Sequence, residues 1–174
     1  ISFKLEGQIV MRNPEFDMSH RLLLDKIDFE KGTIFIDGAD YPLKDYYFPT
    51  IDPNNPYELT DEEEFVINKI ATSLLNSRRL QEHVSFLFSK GGVYLVYNNN
   101  LMLHGCIPVK SETEFKEFNY KGRMIKGKEL LEVLEQTVRN AWINRYNPKN
   151  NDGDFFWYLW CGACSPIFGK HRMA

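Results

Sequence analysis

Two apolar runs near the middle of the chain constrain the fold more than any other feature: Val93-Tyr94-Leu95-Val96-Tyr97 and Leu101-Met102-Leu103-His104, separated only by Asn98-Asn99-Asn100. β-Branched and aromatic residues favour extended backbone, and asparagine tolerates the left-handed conformations of a tight reversal, so the two runs read as paired strands. Neither run alternates with polar residues. Strands of this kind are predicted to be buried on both faces, at the centre of a sheet with helices packed beside it.

Helices are expected on either side of this pair. Thr60 followed by Glu63 forms a capping box, and the acids at 61 to 64 sit where the helix dipole favours negative charge. Ile67, Ile70 and Leu74 continue the helical spacing; after a break near Asn76-Ser77, Leu80, Val84, Leu87 and Phe88 define a second run that Gly91-Gly92 ends. Leu130, Leu131, Leu134, Val138, Ala141 and Trp142 mark the apolar stripe of a helix over about 127 to 144.

Nearer the start, residues 1 to 12 suit a helix closed by Asn13-Pro14, and Asp17 or Ser19 caps a predicted second helix through Asp28. Thr33-Ile34-Phe35-Ile36, Asp37-Gly38 and Tyr41-Pro42-Leu43 spell a hairpin whose proline makes the return strand an edge. Pro49, Pro53 and Pro56 then mark an extended connection. Phe115 to Phe118 and Arg123 to Ile125 flank a Lys121-Gly122 turn, predicting a small polar hairpin on the surface. The fold class is α/β in the mixed α+β sense, divided into residues 1–57, an inserted or cap segment, and residues 58–174, part of a catalytic domain.

At 174 residues the chain is long enough to bury a real core, and 43% hydrophobic with 26% charged residues is ordinary for a folded globular protein. A net charge of -3 with scattered Lys and Arg gives no basic field, which argues against nucleic acid as a partner. No stretch approaches the roughly 18 apolar residues of a membrane span. Three cysteines, unevenly spaced, do not make a disulfide framework and suit a reducing cytoplasm. A homo-oligomer is compatible with all of this and is not decided by it.

The most informative chemical element is Leu101-Met102-Leu103-His104-Gly105-Cys106-Ile107-Pro108. A strand end fixes the origin of the imidazole, and glycine beside it leaves room for an ion or phosphate to approach the backbone. Neutral imidazole suits first-row metals, but one histidine supplies one bond, and a hydrogen-bonded histidine at a sheet edge fits the same spacing.

Ser165-Pro166-Ile167-Phe168-Gly169-Lys170-His171-Arg172 is a second candidate, with Lys170 and Arg172 placed to meet phosphate groups unless the basic triplet is simply solvated. Cys161-Gly162-Ala163-Cys164 is a lone Cys-x-x-Cys, too few thiols for a tetrahedral zinc site and not placed after a strand as a redox motif should be. Ser89-Lys90-Gly91, beyond a helical His83, offers backbone and ammonium groups to phosphate, while His20 carries no signal.

The element Leu101 to Gly105 resembles the strand-His-Gly unit of the calcineurin-like metallophosphoesterases. Longer stretches resemble one branch of that superfamily, the class III fructose-1,6-bisphosphatases: Phe3-Lys4-Leu5-Glu6-Gly7-Gln8, Arg21 to Ile27, Phe48 to Pro53, Leu75-Asn76-Ser77, Tyr94 to Asn98, His104 to Pro108 and Trp157 to Gly162. The likeness runs nearly end to end, and Ser165 to Lys170 matches a Ser-Pro-x-Phe-Gly-Lys segment.

The resemblance implies hydrolysis of the phosphate at carbon 1 of fructose 1,6-bisphosphate in bacterial gluconeogenesis. It implies a two-metal centre, usually manganese, with ions about 3.5 to 4 Å apart that clamp the phosphate and activate a water. His104 would hold one ion. The Asp-x-His, Asp-Arg-Gly, Gly-Asn-His and Gly-His-Thr elements of such enzymes are absent from this sequence. The remaining ligands and the catalytic acid are therefore expected outside it, in a longer enzyme of which this is an internal piece, inactive alone. Two other readings stay open: a noncatalytic regulatory or interaction module using the 33–43 hairpin and the aromatic segment at 155–160, and a different phosphatase of the same superfamily.

Overall fold

The computed structural model describes residues 1–147 and 150–168. The chain divides into two compact units, Ile1–Leu74 and Leu75–Ala174. Helices and small antiparallel sheets occur in both, a mixed α+β composition as expected.

In the first unit, helix α1 (Ser2–Arg12) turns Lys4, Gly7 and Val10 inward at three-residue spacing. Asn13 closes it by donating its side-chain amide to the Ile9 carbonyl at 2.8 Å. Gly7 is dictated by packing, because a Cβ there would lie inside the ring of Tyr57.

The helix expected over 17–28 does not form. Two short 3-10 turns, Ser19–Arg21 and Leu24–Lys26, take its place, preceded by a third at Pro14–Phe16. Asp17 adopts a left-handed conformation, φ 53°, that interrupts any continuous helix, and the turns bring Phe16, Met18 and Leu24 into the core at intervals no helix stripe would match. Arg21 pairs with Glu6 of α1 at 2.7 Å, which fixes these turns against the helix.

Strands β1 (Ile27–Asp28), β2 (Thr33–Ile36) and β3 (Ala39–Pro42) form one antiparallel sheet in that order. Asp37 and Gly38 supply the positive φ angles of the β2–β3 reversal, and Pro42 lies on the edge strand, where its missing N–H costs no ladder bond.

The proline-bearing segment after the sheet has no regular structure and leads to helix α2 (Asp61–Asn76). The capping box is formed: Thr60 Oγ1 accepts the Glu63 N–H at 3.3 Å, and Glu63 Oε2 accepts the Thr60 N–H at 3.0 Å. Glu63 has a second task. Lys4, only 1% exposed, places its ammonium 2.7 Å from Glu63 Oε2 and also donates to the Thr50 carbonyl, while the Thr50 hydroxyl donates to Glu63 Oε1 at 2.7 Å. One buried charge pair thus ties α1, the extended connection and the start of α2 together.

In the second unit, Ser77 caps helix α3 (Arg78–Lys90) by accepting the Leu80 N–H, and Gly91 ends it. Helix α4 (Gly127–Ile143) and helix α5 (Asp152–Cys161) build the core with the hairpin of β8 (Phe118–Tyr120) and β9 (Arg123–Ile125). That hairpin is not a surface feature, contrary to the sequence-based expectation. Phe118 and Ile125 lie opposite each other and are 4% and 1% exposed, and the Phe118 ring meets Phe155 and Tyr158 at centroid distances of 5.8 and 5.0 Å. Alternation explains the difference, since Asn119 and Met124 point outward and give the segment its polar look. The Tyr120 hydroxyl shares a 2.8 Å hydrogen bond with Thr137 of α4.

Strands β4 (Tyr94–Tyr97) and β5 (Asn100–Leu103) pair as predicted, with Asn98 and Asn99 at positive φ in the turn. Their predicted burial is not met: on one face Leu95 and Met102, and on the other Val96 and Leu101, are all exposed. The cause is the size of the sheet. β4 and β5 pair only with each other among the described residues, and a two-stranded ribbon has no further strand to cover its edges. Strands β6 (Val109–Ser111) and β7 (Glu114–Phe115) make another small exposed pair.

Candidate functional site

His104 lies in the bend directly after β5, and its side chain is exposed. Among the described residues the imidazole makes no hydrogen bond, so both ring nitrogens are open to a ligand. The structure thereby differs from a histidine held at a sheet edge by hydrogen bonds.

Gly105 has a different structural reason than the one read from sequence. The place a Cβ would take is filled by the Pro166 carbonyl, with the Ile167 carbonyl 3.0 Å away. Close backbone approach, rather than space for an ion, is what requires glycine at this position. The same Pro166 carbonyl accepts the Cys106 N–H at 2.8 Å. Two segments that sequence reasoning treated as separate candidates, His104–Cys106 and Ser165–Phe168, are thus in direct contact.

The second segment is anchored on α5. Ser165 is 1% exposed, and its hydroxyl donates to the Leu159 carbonyl at 2.6 Å while accepting the N–H groups of Ile167 and Phe168 at 3.1 and 3.3 Å. The Tyr158 hydroxyl accepts the Cys164 N–H at 3.0 Å, and the Tyr158 ring occupies the space a side chain at Gly162 would need. Burial, with the neighbouring Cys164, pushes the Tyr158 hydroxyl far above its ordinary pKa, so it stays a neutral hydrogen-bonding group. Lys170 and Arg172, the candidate phosphate ligands, follow two and four residues after Phe168 and lie outside the described residues.

Cys161 ends α5 and Cys164 follows it, both reduced and buried. The Cys-x-x-Cys therefore sits at the C-terminus of a helix, the end that disfavours a thiolate. Ser89-Lys90-Gly91 is likewise at a C-terminal end, and the Gly91 N–H is already donated to the Leu87 carbonyl at 2.6 Å. That end of α3 presents carbonyls rather than N–H groups, so the phosphate-binding reading of the segment is not supported. His83 is exposed on α3, and His20 lies in the 3-10 turn Ser19–Arg21 of the first unit.

The exposed carbonyls of α3 are met instead by Arg139, which sequence reasoning missed. Its guanidinium donates to the Phe88 carbonyl at 2.6 Å and the Gly91 carbonyl at 2.9 Å, and pairs with Glu135 at 2.9 Å. Glu135 also accepts the Val93 N–H at 3.0 Å, just before β4. The i, i+4 spacing of Glu135 and Arg139 on a helix was the available signal, but it does not reveal partners more than 40 residues away.

Among the described residues no three His, Cys, Asp or Glu side chains gather to hold an ion. An exposed imidazole without a hydrogen bond, at a strand end, fits one coordination position of a first-row metal and no more. Among the described residues no helix is long and apolar enough to cross a membrane.

Comparison with known proteins gives this arrangement its setting. The family described as Firmicute fructose-1,6-bisphosphatase matches residues 1–174, and the chain belongs to that family. It is 50% identical over 174 residues to a protein named fructose-1,6-bisphosphatase class 3 1 from Clostridium beijerinckii, covering 99% of this chain and 26% of that one. It is 52% identical over 175 residues to the fructose-1,6-bisphosphatase class 3 of Listeria innocua, covering 99% of this chain and 27% of that one. The corresponding protein of Clostridium tetani is 49% identical over 175 residues, with 26% of it covered. The chain thus spans about a quarter of the length of these relatives. No solved structure matches.

Proposed function

We propose that this chain is part of a bacterial, cytoplasmic metallophosphoesterase that hydrolyses fructose 1,6-bisphosphate to fructose 6-phosphate and phosphate, a step of gluconeogenesis. The observation that carries the reading is the family match over residues 1–174, at about half identity to proteins named for that activity. The proposed metal is manganese in a two-ion centre, with His104 as one ligand and the other ligands and the catalytic acid supplied by the rest of the longer protein.

Two such ions, when bound, neutralise phosphate charge and lower the pKa of an attacking water. The part of this chain is to hold and orient. His104 offers a neutral nitrogen from a fixed strand end, and Gly105 lets the backbone of 165–168 pack directly behind it. Lys170 and Arg172, a few residues further along that segment, are the proposed phosphate contacts: lysine as a compact charge, arginine as a planar fork. Contact of Gly105 and Cys106 with Pro166 supports reading the His104 and Ser165 segments together.

The test is phosphate release from fructose 1,6-bisphosphate by the full-length protein and its His104→Ala variant, with and without manganese. Metal-dependent release that collapses in the variant supports the proposal. Release that ignores both the metal and His104 overturns it.

A further inference from the structure

His104 makes no side-chain hydrogen bond among the described residues, so what the fold fixes is the backbone from which its side chain starts. On one side that backbone is β5, where Leu103 pairs with Tyr94. On the other side it is Gly105–Cys106, which is held by the Pro166 carbonyl through the Cys106 N–H at 2.8 Å and by the close approach at Gly105.

The Pro166 carbonyl is itself set by Ser165. A hydroxyl has one proton to donate and two lone pairs to accept with, and here all three are engaged. The proton goes to Leu159, whose carbonyl belongs to the last turn of α5 and has no helical partner; the lone pairs take the N–H groups of Ile167 and Phe168. These bonds bracket the Pro166 peptide on both sides. The hydroxyl is fully buried and does not touch His104, so no direct chemical role accounts for it.

We propose that Ser165 is a positioning residue: by fixing the Pro166 carbonyl against Gly105 and Cys106, it holds the backbone from which His104 presents its imidazole to a divalent cation. The inference rests on the reading of His104 as a metal ligand.

Groups hydrogen-bonded directly to a metal-binding histidine typically change metal affinity 10- to 100-fold when removed; Ser165 acts through the backbone, so Ser165→Ala is expected to weaken binding by the lower end of that range, about tenfold. The experiment is a Mn2+ titration of the full-length protein followed by the EPR signal of the free ion, with thermal unfolding recorded in parallel. Four variants are compared: His104→Ala, Ser165→Ala, Gly105→Ala, which displaces the same carbonyl from the other side, and Tyr120→Phe. The last loses a hydrogen bond to Thr137 in the same unit without touching the junction and controls for general loss of stability.

The expected result is that His104→Ala loses one class of bound Mn2+, that Ser165→Ala and Gly105→Ala weaken that class about tenfold, and that Tyr120→Phe binds like the wild type. If His104→Ala weakens binding while Ser165→Ala and Gly105→Ala do not, or if Tyr120→Phe weakens it equally, the positioning role is wrong and the metal reading survives. If His104→Ala binds Mn2+ like the wild type, the metal reading fails and the inference with it.

Discussion

Replacing Glu63 by glutamine removes the charge at the centre of the first unit's buried cluster while keeping the side chain's shape. Burial works to raise the carboxyl's pKa; hydrogen bonds from Lys4, the Thr60 N–H and Thr50, with the Lys4 charge, outweigh it and lower the value from 4.5 to about 2. At about 1.4 kcal/mol per unit, that drop amounts to at most about 3–4 kcal/mol of stability carried by the ionised form. Breaking a buried ion pair by removing one partner costs about 3–5 kcal/mol by itself, so both routes give the same order.

The sign is fixed by the direction of the shift. The stabilisation is complete above the carboxyl's ordinary value of 4.5 and is lost as pH falls from there through about 2. Amide hydrogen exchange of α1 and the start of α2 in the full-length protein reads this locally. Glu63→Gln is expected to speed exchange there roughly a hundredfold at neutral pH and to flatten its dependence between pH 4.5 and 2. The double variant Lys4→Met/Glu63→Leu leaves no unpaired charge and is expected to recover part of the loss, because the capping bond to Thr60 and the bonds to Thr50 stay absent. Exchange within about twofold of the wild type in Glu63→Gln would refute the argument that this pair holds the unit together.

Three further substitutions follow from the packing. Gly7→Ala drives a methyl into the Tyr57 ring and is expected to cost about 1–3 kcal/mol in denaturant unfolding, with Tyr57→Leu partly restoring it. Tyr120→Phe removes one hydrogen bond, while Thr137 keeps its bond to the Val133 carbonyl, so the loss should stay near 1 kcal/mol by the same measurement. Arg139→Met takes away the donors to the Phe88 and Gly91 carbonyls; amides of the last turn of α3 should exchange several-fold faster or more, with a loss of about 1–3 kcal/mol.

Local signals in the sequence read well where the chemistry is local. Thr60 and Glu63 announced a capping box that the structure forms, Asp37-Gly38 and Asn98-Asn99 announced reversals with positive φ, and Pro42 announced an edge. Errors arose where distant partners decide the outcome. Asp17 looked like a helix cap, but its left-handed conformation and the irregular burial of Phe16, Met18 and Leu24 produce 3-10 turns. Phe155 to Trp160 looked like an aromatic patch; Asp152 and Asp154 in the first turn and the i, i+3, i+4 burial of Phe155, Tyr158 and Leu159 make it helix α5, with Trp160 still 69% exposed. The apolar content of β4 and β5 was legible, but its exposure was not: the two strands pair only with each other among the described residues. At the candidate site, the structure places His104 directly after β5, and the strand leading to it was legible. Ser165 was not, because only the fold brings the Pro166 carbonyl against Gly105.

The most direct measurement of the central claim follows the substrate itself. Phosphorus NMR of fructose 1,6-bisphosphate incubated with the full-length protein and Mn2+ should show the carbon 1 phosphate resonance replaced by inorganic phosphate while the carbon 6 phosphate remains, with no change over the same period for His104→Ala. Both phosphate resonances persisting with the wild-type protein, or equal loss with the variant, would contradict the account.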